Sequence, residues 1–396
     1  MTAAAGMLGL MGFAGLVVDV GYMEYYKRKA QTAADAGAQG GVAEINMGRE
    51  NTVNQAATAD VASNGFTDGV DNTTVTIHNP PVSGSYVGNA RYVEVIVSKR
   101  LPTVFMGFLN LSSMGVAARA VGGPMSPICI YVLNPTAAGA FTISGSAIFN
   151  NTCGIMVDSN SPTAMVDGGT ACLTATAIYV TGGVSSTTSC PPSPAPLTNS
   201  PAMVDPLAYV SAPTVGACNY NNFKANNSQT ISPGVYCGGF SVQGNGTVLT
   251  LNPGTYIINK GGMSVNAGTT LTGSGVTFYN TSTSSGGSGY QPIVINGGST
   301  LNISAPTAGP LEGILFFADR SMPSVNNIIN GNNASDIVGA LYFPNSSLAF
   351  SGNNTTTSYT QIVADTLTVL GNTTVNNDYS SLANGSPAKS AGAMVE

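Results

Sequence analysis

Two stretches of this chain can be laid over one another. "SPGVYCGGFSVQGNGTVLTL" from Ser232 and "NPGTYIINKGGMSVNAGTTLTG" from Asn252 bring Pro233-Gly234-Val235-Tyr236 onto Pro253-Gly254-Thr255-Tyr256 at a spacing of 20. A repeat of about 20 residues, built of short alternating runs between Gly, Asn and Ser turns, cannot bury its apolar side alone. Stacked copies make the core. Looser copies follow the same rhythm: "GILFFADRS" from Gly313, "GALYFPNSS" from Gly339, "FTISGSAIFNN" from Phe141, "SLAFSGNNTT" from Ser347 and "LTVLGNTTVNN" from Leu367. Alternation such as Val276/Phe278 and Leu341/Phe343 sends every second side chain inward. The expected fold is mainly β: a right-handed parallel β-helix (β-solenoid) domain over 124–396, with its strands between about 125 and 380. The segment "SCPPSPAPLTNSPAMVDPLA" at 189–208 is expected to leave the solenoid as a loop, because proline has no N–H for a central ladder.

Composition narrows the function classes. Of 396 residues, 43% are hydrophobic and only 8% charged, a balance too apolar for disorder and too poor in charge for a typical helix-rich cytosolic enzyme. A net charge of −6 offers no basic surface for phosphates, which argues against a nucleic-acid partner. The six cysteines, Cys129, Cys153, Cys172, Cys190, Cys218 and Cys237, form no CxxC and lie far from the only histidine, His78, so neither a metal site nor any other cofactor is expected. An even count beside an apolar N-terminal segment fits disulfides in an oxidising compartment; the spacing leaves the pairing open, and buried free thiols are the alternative.

The N-terminus carries the addressing information. No charged residue occurs from Ala3 to Val18, and only Asp19 interrupts the run to Met23, a length close to the roughly 20 residues that cross a hydrocarbon core. Residues 1–23 are expected to be a transmembrane helix. Lys27, Arg28 and Lys29 follow it and by the positive-inside rule would hold the bulk of the chain in the cytoplasm. The cysteines and the repetitive polar remainder argue for the outer side, which supposes a basic segment ahead of Met1. Beyond the run, Ala30, Ala33, Ala34, Gly37 and Gly41 recur at helical steps, and Ala56, Ala59 and Ala62 resume the stripe until Asn64-Gly65. Such a narrow face serves either close packing within the domain or packing between subunits.

"GLVVDVGYMEYYKRKAQTAADAGAQGG", then "ATADVASNG", then "ARYVEVIVSKRLPTVFMGFLNLSSMGVAARAVGG" from Ala90 to Gly123, together resemble the N-terminal module of TadE/TadG-like Flp (Tad) pilus-assembly proteins of bacteria. The apolar helix with its Val-Asp-Val-Gly exit, the Ala-Ala-Asp ladder and the strand, short helix, strand ending carry the likeness, over about the first third of the chain. The resemblance implies a pilin-like module over 24–123 and a place in a pilus or its assembly machinery. The pattern reads physically as a long helix, strands around Val75–Ile77 and Tyr92–Val97, a short helix at Val104–Leu109 and a closing strand at Met114–Val121, a small α+β module. The resemblance to pilins also implies a carboxylate that sets subunit register. Asp19 is the candidate for helix registration and assembly, with Ala33, Ala34 and Gly37; the alternative for Asp19 is an interfacial acid that contacts water or Lys27.

A β-helix is also a scaffold for polysaccharide cleavage, which needs paired carboxyls roughly 5 to 9.5 Å apart or a base with a cation. The acids beyond residue 125 are scattered, and the nearest grouping is Glu312, Asp319 and Arg320, with Asp336 further on. Glu312 and Asp319 would point to opposite faces of an extended segment, so no catalytic residue is assigned and the chain is read as not an enzyme. The asparagine-rich stretches, such as "GNGT", "GNNTTT" and "GNTTVNN", are expected to form turns and ladders between rungs rather than glycan acceptors.

The sequence thus describes a structural and adhesive component of a bacterial Tad-type pilus or its assembly machinery. It would sit in the cell envelope, anchored in the inner membrane or incorporated in the filament, with a periplasmic or extracellular head. Its partners would be pilin or assembly subunits, the membrane, and a surface glycan or abiotic surface. A membrane-anchored carbohydrate-active enzyme using Glu312, Asp319 or Asp336 and an envelope scaffold unrelated to pili are the alternatives.

Overall fold

A helix of 45 residues, α1 (Thr2–Asn46), opens the chain and is followed by α2 (Val53–Ser63). Three strands, β1 (Thr73–His78), β2 (Val93–Pro102) and β3 (Ser113–Pro124), then form an antiparallel sheet in sequence order, and a last strand at Gly392–Met394 adds to the free edge of β3. The computed structural model describes residues 2–46, 49–124, 128–331, 335–351, 359–388 and 392–394, with residues 2–14 as helical backbone only. Residues 126–388 form one unit, and residues 1–125 with 389–396 form the other. The last residues, which the sequence reading gave to the solenoid, therefore close the sheet of the N-terminal unit, and the larger unit is inserted between β3 and its edge partner.

The small residues of α1 build the core of their own module. Ala30, Ala33, Ala34, Ala38 and Val42 are fully buried with Val93, Val95 and Val97 of β2, Ala118 and Ala120 of β3, and Val53, Ala57 and Val61 of α2. A Cβ at Gly37 would sit 2.5 Å from Val61 Cγ2, so this glycine lets α1 and α2 approach. On α2 the buried stripe is Val53, Ala57 and Val61 at four-residue steps; the expected Ala56, Ala59 and Ala62 lie beside it or in solvent. Each valine contributes about 1.5–3 kcal/mol on burial, more than an alanine can, which is why the valines fix the helix's rotation. The short helix expected at Val104–Leu109 is a single 3₁₀ turn at Met106–Leu109, ended by Asn110 in the left-handed region at φ 66°.

The larger unit is mainly β, and its strands pair in parallel. Gly254–Asn259 stacks on Gly234–Val242 and under Val276–Thr281, while Met263–Val265 and Thr270–Gly273 stack on separate neighbours, so each turn of chain adds a layer to several faces. The two PGxY copies are not in register. Val235 faces Ile257 and Tyr236 faces Ile258, one pleat period beyond the overlay of the sequence, which leaves the inward set inward. The copies share a local device instead: the Tyr236 hydroxyl donates to the Ser232 carbonyl at 2.7 Å and the Tyr256 hydroxyl to that of Asn252 at 2.8 Å. Each tyrosine closes its own turn, and Gly254 at φ +136° has no room for a side chain because a Cβ would meet Pro233. Inside the stack, rings succeed one another from layer to layer: Tyr236 and Tyr256 at 5.8 Å, Tyr256 and Phe278 at 5.6 Å, Phe278 and Phe316 at 5.3 Å. Such pairs are worth about 0.5–1.5 kcal/mol each beyond the area they bury.

The order of the stack is not the order of the sequence. Ile362 of the strand Thr360–Leu370 lies opposite Ile130 of Ile128–Val132, and from there Gly154–Val157 and then Ile178–Val180 extend the stack. The chain enters mid-stack, builds outward to Ile178–Val180, crosses to the opposite end at Tyr220–Ala225, and returns turn by turn to Thr360–Leu370. The entering turn thereby covers an edge that would otherwise stand open. The proline-rich 189–208 segment starts in register, with Ser193 bridging Thr174 and Leu197 bridging Tyr179. That first part lies at the outermost turn, where no further strand requires a proline N–H, while Asp205 and Leu207 are bonded to Tyr342 and Arg320 nearer the middle of the stack.

All six cysteines pair: Cys129–Cys153, Cys172–Cys190 and Cys218–Cys237, at Cα separations of 5.8, 5.1 and 5.7 Å. Each bond joins one turn to the next, and two of them staple the outermost turns at the two ends of the stack, where a layer has a neighbour on one side only.

Candidate functional site

Asp19 holds a segment distant in sequence. Its carboxylate, 4% exposed, accepts the backbone N–H groups of Val104 at 3.0 Å, Phe105 at 2.9 Å and Met106 at 2.7 Å. These are the free donors at the start of the 3₁₀ turn, and a carboxylate supplies the acceptors they lack. One turn earlier, Gly15 lies so close to the Phe105 ring that a Cβ there would overlap it. Asp19 and Gly15 together clamp the β2–β3 loop onto α1. All three donors to Asp19 come from its own chain, and Ala33, Ala34 and Gly37 lie in the core just described. The four residues singled out for registration and assembly thus all make contacts within the module.

A second polar centre was outside the reach of the sequence. Glu94 on β2 is fully buried; its carboxylate accepts Arg119 Nε at 2.6 Å, the Val82 N–H at 3.1 Å and the Ser83 hydroxyl, with His78 Nδ1 at 2.9 Å. Burial alone would raise the carboxyl, but the bonds from Ser83, Arg119, Val82 and His78 outweigh it and hold the group at about 2. His78 is thus part of a structural polar cluster that pins the β1–β2 loop to the sheet.

On the parallel stack, the acids considered for catalysis are each tied to different partners. Glu312 accepts the Asn384 N–H at 2.9 Å and its side-chain amide at 2.6 Å. Asp319 accepts the hydroxyls of Tyr279 at 2.7 Å and Thr281 at 2.6 Å, and Asp336 is exposed at the start of its strand. Arg320 donates to the carbonyls of Leu207 at 2.6 Å and Val210 at 2.9 Å and lies over the rings of Phe317 and Tyr342, so it fastens the crossing segment to the stack. That fastening lines a cavity of about 420 Å³ with Asp158, Asp205, Arg320 and Asp365. Burial pushes the Asp158 carboxyl up to about 6, against the bond it accepts from the Met203 N–H. Among the described residues, no group of three or more His, Cys, Asp or Glu is placed to hold a metal ion.

A larger, shallow groove of about 630 Å³ runs over Asn222, Lys224, Gly239, Ser241, Ser264 and Gln291 on the outside of the stack. It forms where the pairing slips between Asn221 and Phe223 opposite Gly238-Gly239, an irregularity that single-sequence alternation does not announce. Among the described residues, several asparagines between turns bond to Ser, Thr or backbone. Asn259 Oδ1 accepts the Thr283 N–H at 3.0 Å, Asn327 Oδ1 that of Ile293 at 2.9 Å, and Ser351 donates to Asn330 at 2.7 Å. At these positions the asparagines make mixed-residue bridges; the Asn-rich residues 332–334 and 352–358, where ladders are also expected, lie outside the described residues.

Among the described residues, no helix is long and apolar enough to cross a membrane. Residues 1–44 match the sequence model of the family described as "Putative Flp pilus-assembly TadE/G-like". The match covers the clamp residues Gly15 and Asp19 and most of α1, and it supports a role in pilus assembly in the cell envelope. No curated protein and no solved structure matches the chain.

Proposed function

We propose that this chain is a structural, adhesive component of a Tad-type pilus or of its assembly machinery. Residues 1–23 anchor it as a membrane helix that continues into the α+β module, and residues 126–388 form a right-handed parallel β-helix presented outside the inner membrane. The observation that carries the reading is the family match over residues 1–44, the segment that holds the charge-free run from Ala3 to Val18. Parallel pairing from turn to turn supports the β-helix, and right-handed crossovers are the rule between parallel strands. Three disulfides support an oxidising compartment for the head. The shallow groove over Asn222, Lys224 and Gln291 is the surface offered to a glycan or abiotic material.

Shearing intact cells tests the proposal. Recovery of the chain with the filament fraction is expected of a minor pilin; retention in membranes with the head open to external protease points to an anchored assembly factor. A head protected from external protease in both fractions overturns surface presentation. The cavity beside Asp158 favours one rival, glycan cleavage, and hydrolysis of a glycan panel that is lost on Asp158→Asn would establish it.

A further inference from the structure

α1 is apolar beyond the point where the module ends its grip. Val17 and Val18 are 70% and 57% exposed, and Leu16 and Val20 are exposed beside them. Then come Tyr22, Tyr25 and Tyr26, and after them Lys27, Arg28 and Lys29. An apolar stretch, a tyrosine band and a basic cluster in that order are the layers of a bilayer interface. The β2–β3 loop follows the same axis. Lys99 on β2 lies over the Tyr26 ring, level with the tyrosine band, whereas Phe105 is seated at Gly15, on the apolar side of it. At that level Val104, Phe105 and Leu111 are exposed at 67%, 41% and 52%, and no charged residue occurs from Pro102 to Leu111.

Irregular backbone tolerates an apolar medium only when its polar groups are satisfied internally. Six backbone N–H groups of this loop meet that condition. The N–H groups of Val104, Phe105 and Met106 go to Asp19, that of Thr103 to the Ser112 carbonyl, that of Asn110 to Gly107 and that of Leu111 to Met106. The Thr103 hydroxyl donates to the Leu111 carbonyl. In return, the loop gives Asp19 the donors that an acid within an apolar run requires.

We propose that the loop Pro102–Leu111 is a second membrane-inserting element, dipping into the interfacial layer of a lipid bilayer beside α1 and held there by Asp19. The inference rests on the membrane reading of residues 1–23. Its occupant is lipid because the exposed side chains continue the charge-free surface of α1 and the basic cluster stands where anionic headgroups lie.

The chain has no tryptophan, so single reporters can be placed without background. Val17→Trp, Val104→Trp and, as a control away from the loop, Val82→Trp would be introduced into the full chain and reconstituted in phosphatidylcholine/phosphatidylglycerol vesicles with brominated acyl chains. Loss of fluorescence is expected for the Val17→Trp and Val104→Trp chains and not for the Val82→Trp chain. Adding Asp19→Ala is expected to restore the emission of the Val104→Trp chain and leave the Val17→Trp chain quenched. Quenching at position 17 without quenching at position 104 overturns the loop insertion and leaves the helix reading standing; no quenching at either overturns both. Emission at position 104 that is unquenched by lipid but shifts blue with protein density assigns the face to a second copy and also overturns it.

Discussion

The Tyr342 hydroxyl donates to the Asp205 carboxylate at 2.5 Å across 137 residues of sequence, and Arg320 stands 3.9 Å from the same carboxylate. The pair joins the crossing segment to the middle of the stack, where Arg320 also binds the carbonyls of Leu207 and Val210. Arg320→Met keeps the bulk over Phe317 and Tyr342 but removes these donors. It is expected to expose the 200–210 segment to limited proteolysis while the stack resists, with a loss of about 1–3 kcal/mol in unfolding free energy. Unchanged cleavage kinetics would refute the fastening role.

Two disulfides bind the outermost turns. Replacing Cys218 and Cys237 together by serine is expected to cost about 3 kcal/mol in the chain-entropy account. The loss should be local: amide exchange should quicken at Tyr220–Ala225 and Gln229–Ile231 and remain slow at Val276–Thr281. Uniform loss of protection would mean that the stack melts as one body and the staple is not an end cap.

Glu94 gives the N-terminal unit an acid limit. Its folded-state pKa of about 2 lies below the ordinary 4.5, so its contribution is present above pH 4.5 and disappears as pH falls toward 2. About 2 kcal/mol should be lost over that window, allowing for the solvent that reaches Arg119 and His78. Glu94→Gln is expected to be less stable at pH 7 and to flatten the dependence, as chemical denaturation at stepped pH would reveal.

Asp158 has the opposite sign. Its folded pKa of about 6 lies above the usual 3.8, so ionisation opposes folding as pH rises between these values. Asp158→Asn retains an acceptor for the Met203 N–H and is expected to stabilise the larger unit by about 1–2 kcal/mol at pH 7.5, with little effect at pH 3.5. Destabilisation at pH 7.5 but not at pH 3.5 would show that the charged form is needed.

Gly37 measures how tightly α1 and α2 meet. Gly37→Ala places a methyl against Val61 and the Ala57 carbonyl and is expected to lower the melting temperature despite alanine's better helix propensity, at a net loss of about 1–3 kcal/mol. A rise in melting temperature would mean that the helices separate freely.

The chain's own order of residues determined the local and repetitive features: the long small-faced helix, the α+β module, the PGxY repeat, and the parallel, mainly β unit. These depend on interactions within a few residues or on a periodicity repeated many times, which is why they are legible without coordinates. Tertiary structure alone decided which layers touch: that Ile130 lies beside Ile362, that Cys172 pairs with Cys190 at one end and Cys218 with Cys237 at the other, and that the final strand returns to β3. It also decided the partner of Asp19, because a carboxylate in an apolar helix calls for donors without naming them, and the three N–H groups that answer lie 85 to 87 residues away. Sequence periodicity is local, whereas the identity of a stacking or hydrogen-bonding partner is set by how distant layers close upon each other, and only the folded chain contains that information.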